Sequence, residues 1–166
     1  LPAPLDTKKF SKIPKLKKNK NQILYVGRDS FEKGIDILQN IESKLDGKVI
    51  YCTNSPWEET MAILKSSTIL VVPSRMESIP QVIKEAFYLK IPVIATSVGG
   101  VPEIIENRKN GILISPENPN EMIQEINDLL VNPQLIDELT KNAFDFITRN
   151  FTWDVLIEKY IELYEK

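Results

Sequence analysis

An α/β domain built on a doubly wound parallel sheet is the fold class that the sequence predicts. Three observations lead there. Short apolar runs alternate with amphipathic stretches along most of the chain. The runs are apolar throughout rather than every second residue, as in strands buried on both faces. The 166 residues suit one domain, with 42% apolar and 27% charged residues, an ordinary soluble composition. A domain of this size buries about 70% of the surface its unfolded chain exposes.

The elements follow in order. Ile23-Leu24-Tyr25-Val26 predicts a strand ending at Gly27. Ile35, Ile37, Leu38, Ile41 and Leu45 repeat at helical spacing. Lys48-Val49-Ile50-Tyr51-Cys52 predicts a second strand. Thr53-Asn54-Ser55-Pro56 breaks the chain and starts a helix through Trp57, Met61, Ile63 and Leu64. Thr68 to Val72 predicts a buried strand ended by Pro73. Pro80 suits the first position of a helix that runs to Leu89. Ile91 to Ala95 and Ile112 to Ile114 predict two further strands. Helices over 119–131, 133–149 and 153–165 complete the chain. In such sheets ligands bind beyond the carboxyl ends of the strands, at a topological switch point. The loops after Val26, Val72 and Thr96 therefore form the expected mouth.

Composition excludes several functions. The chain has no histidine, which removes the most frequent general base. With Cys52 its single cysteine, a zinc site is not expected. A lone cysteine also suits a reducing cytoplasm. No apolar run approaches the roughly 20 residues of a membrane span. Residues 1–20 carry seven lysines against Asp6, a net +6, which leaves −8 on the rest of a chain whose total is −2. This segment reads as a solvated linker and basic arm. Nucleic acid is not an expected partner, because no aromatic platform accompanies the lysines. Contact with an anionic membrane surface is the other reading of such an arm.

Three loops carry candidate chemistry. In Pro73 to Ala86, Glu77 follows a strand and Glu85 lies eight residues on, inside a helix. The first turn of that helix offers the amides of Gln81, Val82 and Ile83, which attract phosphate. Taken alone, the two glutamates also read as surface carboxylates. In Val26 to Asp36, Gly27 permits close backbone approach, and Arg28 and Lys33 supply two cations at a strand end. Taken alone, these also read as loop cations. The stretch is neither a phosphate-binding P-loop nor the Gly-x-Gly-x-x-Gly of Rossmann-type dinucleotide binders, which speaks against an NAD enzyme. In Ile91 to Ile105, Gly99-Gly100 reads as a structural turn or as a wall that narrows the mouth.

Together these stretches resemble glycosyltransferase family 4, the "glycosyl transferases, group 1" domain. The carriers are Val26-Gly27-Arg28 with Lys33-Gly34, Pro73-Ser74 with the spaced glutamates and Glu85-Ala86, and Pro92-Val93-Ile94-Ala95-Thr96. Gly99-Gly100-Val101-Pro102-Glu103-Ile104-Ile105, Asn110-Gly111-Ile112-Leu113 and Phe151-Thr152-Trp153-Asp154 continue the match, and Asp6-Thr7-Lys8-Lys9-Phe10 resembles the family's interdomain linker.

The resemblance implies the Rossmann-like C-terminal half of a retaining GT-B enzyme, which transfers sugar from a UDP- or GDP-linked donor without metal or cofactor. Arg28 and Lys33 would neutralise the departing diphosphate, and Glu77 would orient the transferred sugar. Gly27 and the amides around Ser78, Ile79, Gln81 and Val82 would meet sugar or phosphate oxygens, and Glu85 would hold the ribose. The expected organisation is a linker and basic arm over 1–20, a nucleotide-sugar-binding domain over 21–150 and a closing helix over 151–166. The acceptor would bind a first domain that this chain lacks, so the chain alone is expected to transfer nothing. The expected location is the cytoplasm or the inner membrane face. Relative to the family, one strand–helix unit is missing between Gly34 and Pro73, and Pro80 replaces a frequent Gly. A catalytically inactive regulatory or scaffolding domain and an unrelated flavodoxin-like module are the competing expectations.

Overall fold

The computed structural model describes residues 2–166. Five strands, β1 (Gln22–Val26), β2 (Lys48–Cys52), β3 (Ile69–Val72), β4 (Val93–Thr96) and β5 (Ile112–Ile114), form one sheet. Its helices are α1 (Ile35–Ile41), α2 (Trp57–Ser66), α3 (Gln81–Tyr88), α4 (Val101–Ile104), α5 (Pro119–Leu130), α6 (Pro133–Asn150) and α7 (Trp153–Tyr164). Every pairing is parallel and the order is β2-β1-β3-β4-β5. The chain steps outward from β1 to β2, then returns across β1 to β3. The switch point therefore lies between β1 and β3, where Leu24 is opposite Leu70.

Alternation within the apolar strands builds two cores. Ile23, Tyr25, Ile69, Val71 and Ile94 pack against α1 and α5. Leu24, Leu70, Val72, Val93 and Ala95 pack against α2, α3 and α6 on the other face. Burying each such side chain contributes roughly 1.5–3 kcal/mol, and the buried polar strand residues Gln22 and Thr96 sit at strand ends with hydrogen-bond partners.

Several boundaries differ from expectation. Pro80 is not the first helical residue. It is the N-cap of α3, with extended backbone (φ −64°, ψ 126°), and its carbonyl accepts from the Ile83 N–H at 3.2 Å. Only the amides of Gln81 and Val82 therefore stay open, not the three expected. Ile91-Pro92 lead into β4 rather than belonging to it, and Thr68 precedes β3. The helical pattern through Leu45 breaks after Ile41 into a 3-10 turn, Glu42–Lys44.

The basic segment is anchored rather than free. Asp6 caps a 3-10 helix, Thr7–Lys12, and the Leu5 N–H donates to the Phe151 carbonyl at 2.6 Å. Leu5 and Ile13 are buried, while all seven lysines of residues 1–20 are exposed. Among the described residues no helix is long and apolar enough to cross a membrane.

Two glycines lock the loops that leave the switch point. Gly34 (φ 69°) ends the 3-10 turn Phe31–Lys33, and a Cβ there would lie 2.0 Å from the Pro73 carbonyl oxygen. Gly99 (φ 54°) lies against the next loop, and its Cβ would fall 1.7 Å from the Glu77 carbonyl oxygen. Gly99→Ala combines left-handed strain with a backbone clash, so it should destabilise the fold by about 2 kcal/mol or more. Urea unfolding of the variant against the parent measures that loss.

Candidate functional site

The loops after β1 and β3 leave the same edge of the sheet because the strands are parallel neighbours. Under the first loop, Tyr25 is buried and its hydroxyl donates to the Arg28 carbonyl at 2.7 Å. Burial pushes that hydroxyl up to about 12, so it stays a neutral donor. A Cβ at Gly27 would lie 3.0 Å from this hydroxyl, so the close approach depends on glycine. Arg28 itself projects outward. Its side chain is 74% exposed and its one ion pair, with Glu32, is 4.0 Å long. A screened pair of that length adds almost nothing, so the guanidinium is free to meet an incoming anion.

Lys33 turns inward. Its Nζ lies 2.6 Å from Glu77 Oε1, and the Ser74 hydroxyl donates to the same oxygen at 2.8 Å. The Glu77 carboxylate is 6% exposed and the Lys33 side chain 26%, so the pair is shielded from water on one side. Glu77 Oε2 has no hydrogen bond among the described residues and remains an acceptor for a ligand hydroxyl.

Arg75 holds this pair in place, and sequence reasoning missed it. Its guanidinium makes a two-pronged bond to Asp36 (2.7 and 2.8 Å), reaches the Phe31 carbonyl at 2.7 Å and pairs with Glu117. It lies 3.8 Å from the Phe31 ring centroid. The backbone N–H groups of Arg75 and Met76 both donate to the Glu32 carbonyl (2.8 and 3.3 Å). Hydrogen bonding from Arg75 lowers the Asp36 pKa, and Asp36 in turn raises that of Arg75. The Phe31–Lys33 turn is thereby fastened to the loop after β3. No local pattern marks Arg75, because Asp36 lies in another loop–helix unit of the sequence.

The remaining expected residues lie along α3 and its entrance. Ser78 is exposed, and its carbonyl accepts from the Gly100 N–H at 2.8 Å. Ile79 is half-buried, and Gln81 and Val82 form the open first turn. Glu85 sits one turn further in and is 6% exposed. Its Oε2 accepts from the Trp57 indole N–H at 3.0 Å. Burial raises its pKa from 4.5 to about 7, and the Trp57 bond and the charge of Lys9 only partly offset that. Glu85 faces a pocket of about 260 Å³ lined also by Pro4, Phe10, Trp57 and Gln81. A second opening of about 300 Å³ lies at the ends of β1 and β2, lined by Gly27, Arg28, Cys52 and Asn54. Trp57 is a second residue that sequence reasoning left as a core position of its helix. Among the described residues no three His, Cys, Asp or Glu side chains stand close enough to hold a metal ion.

Two outcomes are expected from this geometry. Arg75→Ala should lower stability by about 1–2 kcal/mol in urea unfolding. The value lies below the roughly 3–5 kcal/mol of a fully buried pair because Asp36 is 45% exposed and its charge is screened. Arg75→Lys should not rescue it, since an ammonium lacks the planar fork. Glu85 should make stability depend on pH. Between 4.5 and about 7 the folded chain keeps a proton that the unfolded chain has released. Stability therefore falls by a few kcal/mol at most as pH rises through that window. Thermal unfolding of Glu85→Gln across the same range should lack this component.

The family model for glycosyl transferases group 1 matches residues 38–146. An uncharacterized glycosyltransferase of Methanocaldococcus jannaschii is 34% identical over 110 residues, covering 66% of this chain and 31% of that protein. The spore coat protein SA of Bacillus subtilis is 35% identical over 102 residues, covering 60% of this chain and 27% of that protein. The match thus covers less than a third of the length of these curated relatives. Among solved structures, sucrose-phosphate synthase from Thermosynechococcus elongatus superimposes with a TM-score of 0.80 at 23% identity, covering 98% of this chain and 49% of that one. Anabaena HepE in complex with UDP-glucose gives 0.80 at 18% identity, covering 89% and 49%. These likenesses show a shared fold, that of one half of a GT-B enzyme. The family-model match excludes an unrelated flavodoxin-like module, although the strand order is the flavodoxin order. The chain belongs to the glycosyl transferases group 1 family.

Proposed function

We propose that this domain is the donor-binding part of a retaining, family 4-type glycosyltransferase that moves sugar from a UDP- or GDP-linked donor to an acceptor. The observation that carries the reading is the Lys33–Glu77–Ser74 cluster at the switch point, one turn from the open amides of α3. Glu77 is held by one oxygen, so Oε2 can accept a sugar hydroxyl and orient the ring. Lys33 keeps a fixed positive charge beside it. Arg28, exposed and weakly paired, closes on the diphosphate. Gln81 and Val82 offer N–H groups to a phosphate oxygen. Glu85, once ionised, accepts both ribose hydroxyls. The UDP-glucose complex of the structural relative HepE supports a nucleotide-sugar ligand for this fold.

The chemistry follows from the charges. Breaking a glycosyl–phosphate bond builds negative charge on the diphosphate and positive charge on the sugar. Preorganised cations and amides stabilise the leaving group without reorganising, and each such donor contributes on the order of 3 kcal/mol. Two cations do the work a metal would do, so no metal and no cofactor enter the reading. The acceptor, a glycan, lipid or small molecule, would bind a second domain, which accords with relatives of which the matched segment covers only 31% and 27%. Transfer then needs both domains in register. The exposed lysines of the linker suit a cytoplasmic protein that touches an anionic membrane face.

An NMR titration of this chain with UDP or GDP should shift the amides of Gly27–Lys33 and Ser78–Glu85. Shifts confined to other residues would overturn the site. Lys33→Ala and Glu85→Ala should each weaken nucleotide binding about tenfold or more, as loss of a hydrogen bond to a charged group does. Glu77→Ala should weaken nucleotide binding less than Glu85→Ala, because Glu77 faces the sugar.

A further inference from the structure

The base of the nucleotide has no partner in the reading above, and the neighbourhood of Glu85 supplies one. The only side-chain hydrogen bond of Glu85 among the described residues comes from Trp57. Trp57 opens α2, directly after the loop that leaves β2. Its ring packs near-perpendicular against Phe10 at 5.2 Å and is not fully buried. The Lys9 ammonium lies over the ring, 6.0 Å from its centroid. Lys9 is exposed and on a flexible stem, so an incoming flat ring can displace it. Trp57 also lines two adjoining openings, of about 470 and about 260 Å³, which share Asp6 and Lys9. Together they offer room for a base beside the carboxylate.

We infer that Trp57 is the platform on which the nucleobase of the donor stacks, while its indole N–H holds Glu85 in place for the ribose. The inference rests on the reading that Glu85 takes the ribose hydroxyls. A ribose with its 2′- and 3′-hydroxyls on that carboxylate puts C1′, and so the base, within one ring width of it. The indole bonded to the same carboxylate is a flat apolar surface within that reach, and of the two rings lining the pocket, Trp57 and Phe10, it is the one bonded to Glu85. An aromatic face accepts any base, so Trp57 contributes affinity for uracil and guanine alike and does not choose between them. Trp57 is thus a binding residue through its face and a positioning residue through its N–H.

The chain contains two tryptophans, so Trp153→Phe leaves an emission that reports Trp57 alone. UDP should quench that emission, whereas inorganic pyrophosphate, with calorimetry confirming that it binds, should not. Trp57→Ala should weaken UDP about tenfold or more and leave pyrophosphate affinity unchanged, and Trp57→Phe, which keeps a stacking face but loses the N–H to Glu85, should restore only part of the UDP affinity. UDP that binds without quenching, or binds Trp57→Ala as tightly as the parent, overturns the inference. So does an equal loss of UDP and pyrophosphate, which marks a purely structural role. If Trp57→Ala does not fold, the quenching result decides. Failure of the parent to bind either UDP or pyrophosphate removes the donor-site reading itself, whereas equal affinity for the two removes only the base platform.

Discussion

The two-pronged bond between Arg75 and Asp36 is the contact on which the arrangement of the site depends. The parallel pairing of β1 with β3 brings their loops to one edge, but it does not set the loops relative to each other. Arg75 does, through Asp36, Phe31 and Glu117, with two backbone bonds to Glu32 beside it. Loops are ordinarily the most mobile part of such a fold. Here a guanidinium with all its main directions satisfied makes the turn carrying Lys33 and the loop carrying Glu77 into one body.

That rigidity bears on the proposed donor site. Stabilising a departing diphosphate requires charges that are already in place when the bond breaks. Lys33 is in place, 2.6 Å from a carboxylate that has little exposure to water. Arg28 is the opposite case, exposed and only weakly paired. Gly34 and Gly99 complete the frame from outside. Each lets backbone pass where a side chain would strike the Pro73 or Glu77 carbonyl.

Glu85 shows how position changes the meaning of a residue. Placed eight residues after Glu77, it reads in the sequence as one of two similar carboxylates. In the fold it is buried against Trp57 and the linker, and its pKa rises to about 7, while Glu77 is held by an ammonium and a hydroxyl. Glu85 is thereby poised between charge states near neutral pH. The linker takes part in this, since Pro4, Leu5 and Phe10 roof the pocket that Glu85 faces. The lysine-rich stretch, which looks from composition like a solvated arm, is in part a wall of the site.

The sequence by itself determined the parallel sheet, its two buried faces and the loops that form the mouth. Apolar runs such as Ile69–Val72 and the helical spacing of Ile35, Leu38 and Ile41 encode burial locally, within a few residues. It also marked Arg28, Lys33, Glu77 and Glu85 as polar groups at strand and helix ends. Tertiary structure alone decided which of them touch. Lys33 meets Glu77 across 44 residues of chain, Arg75 meets Asp36 across 39, and Trp57 meets Glu85 across 28. It also decided that Pro80 caps α3 rather than opening it. The physical reason is range. Hydrophobic periodicity is a local property of the chain, whereas a hydrogen bond between loops exists only after the crossover from β2 to β3 has folded their strands side by side.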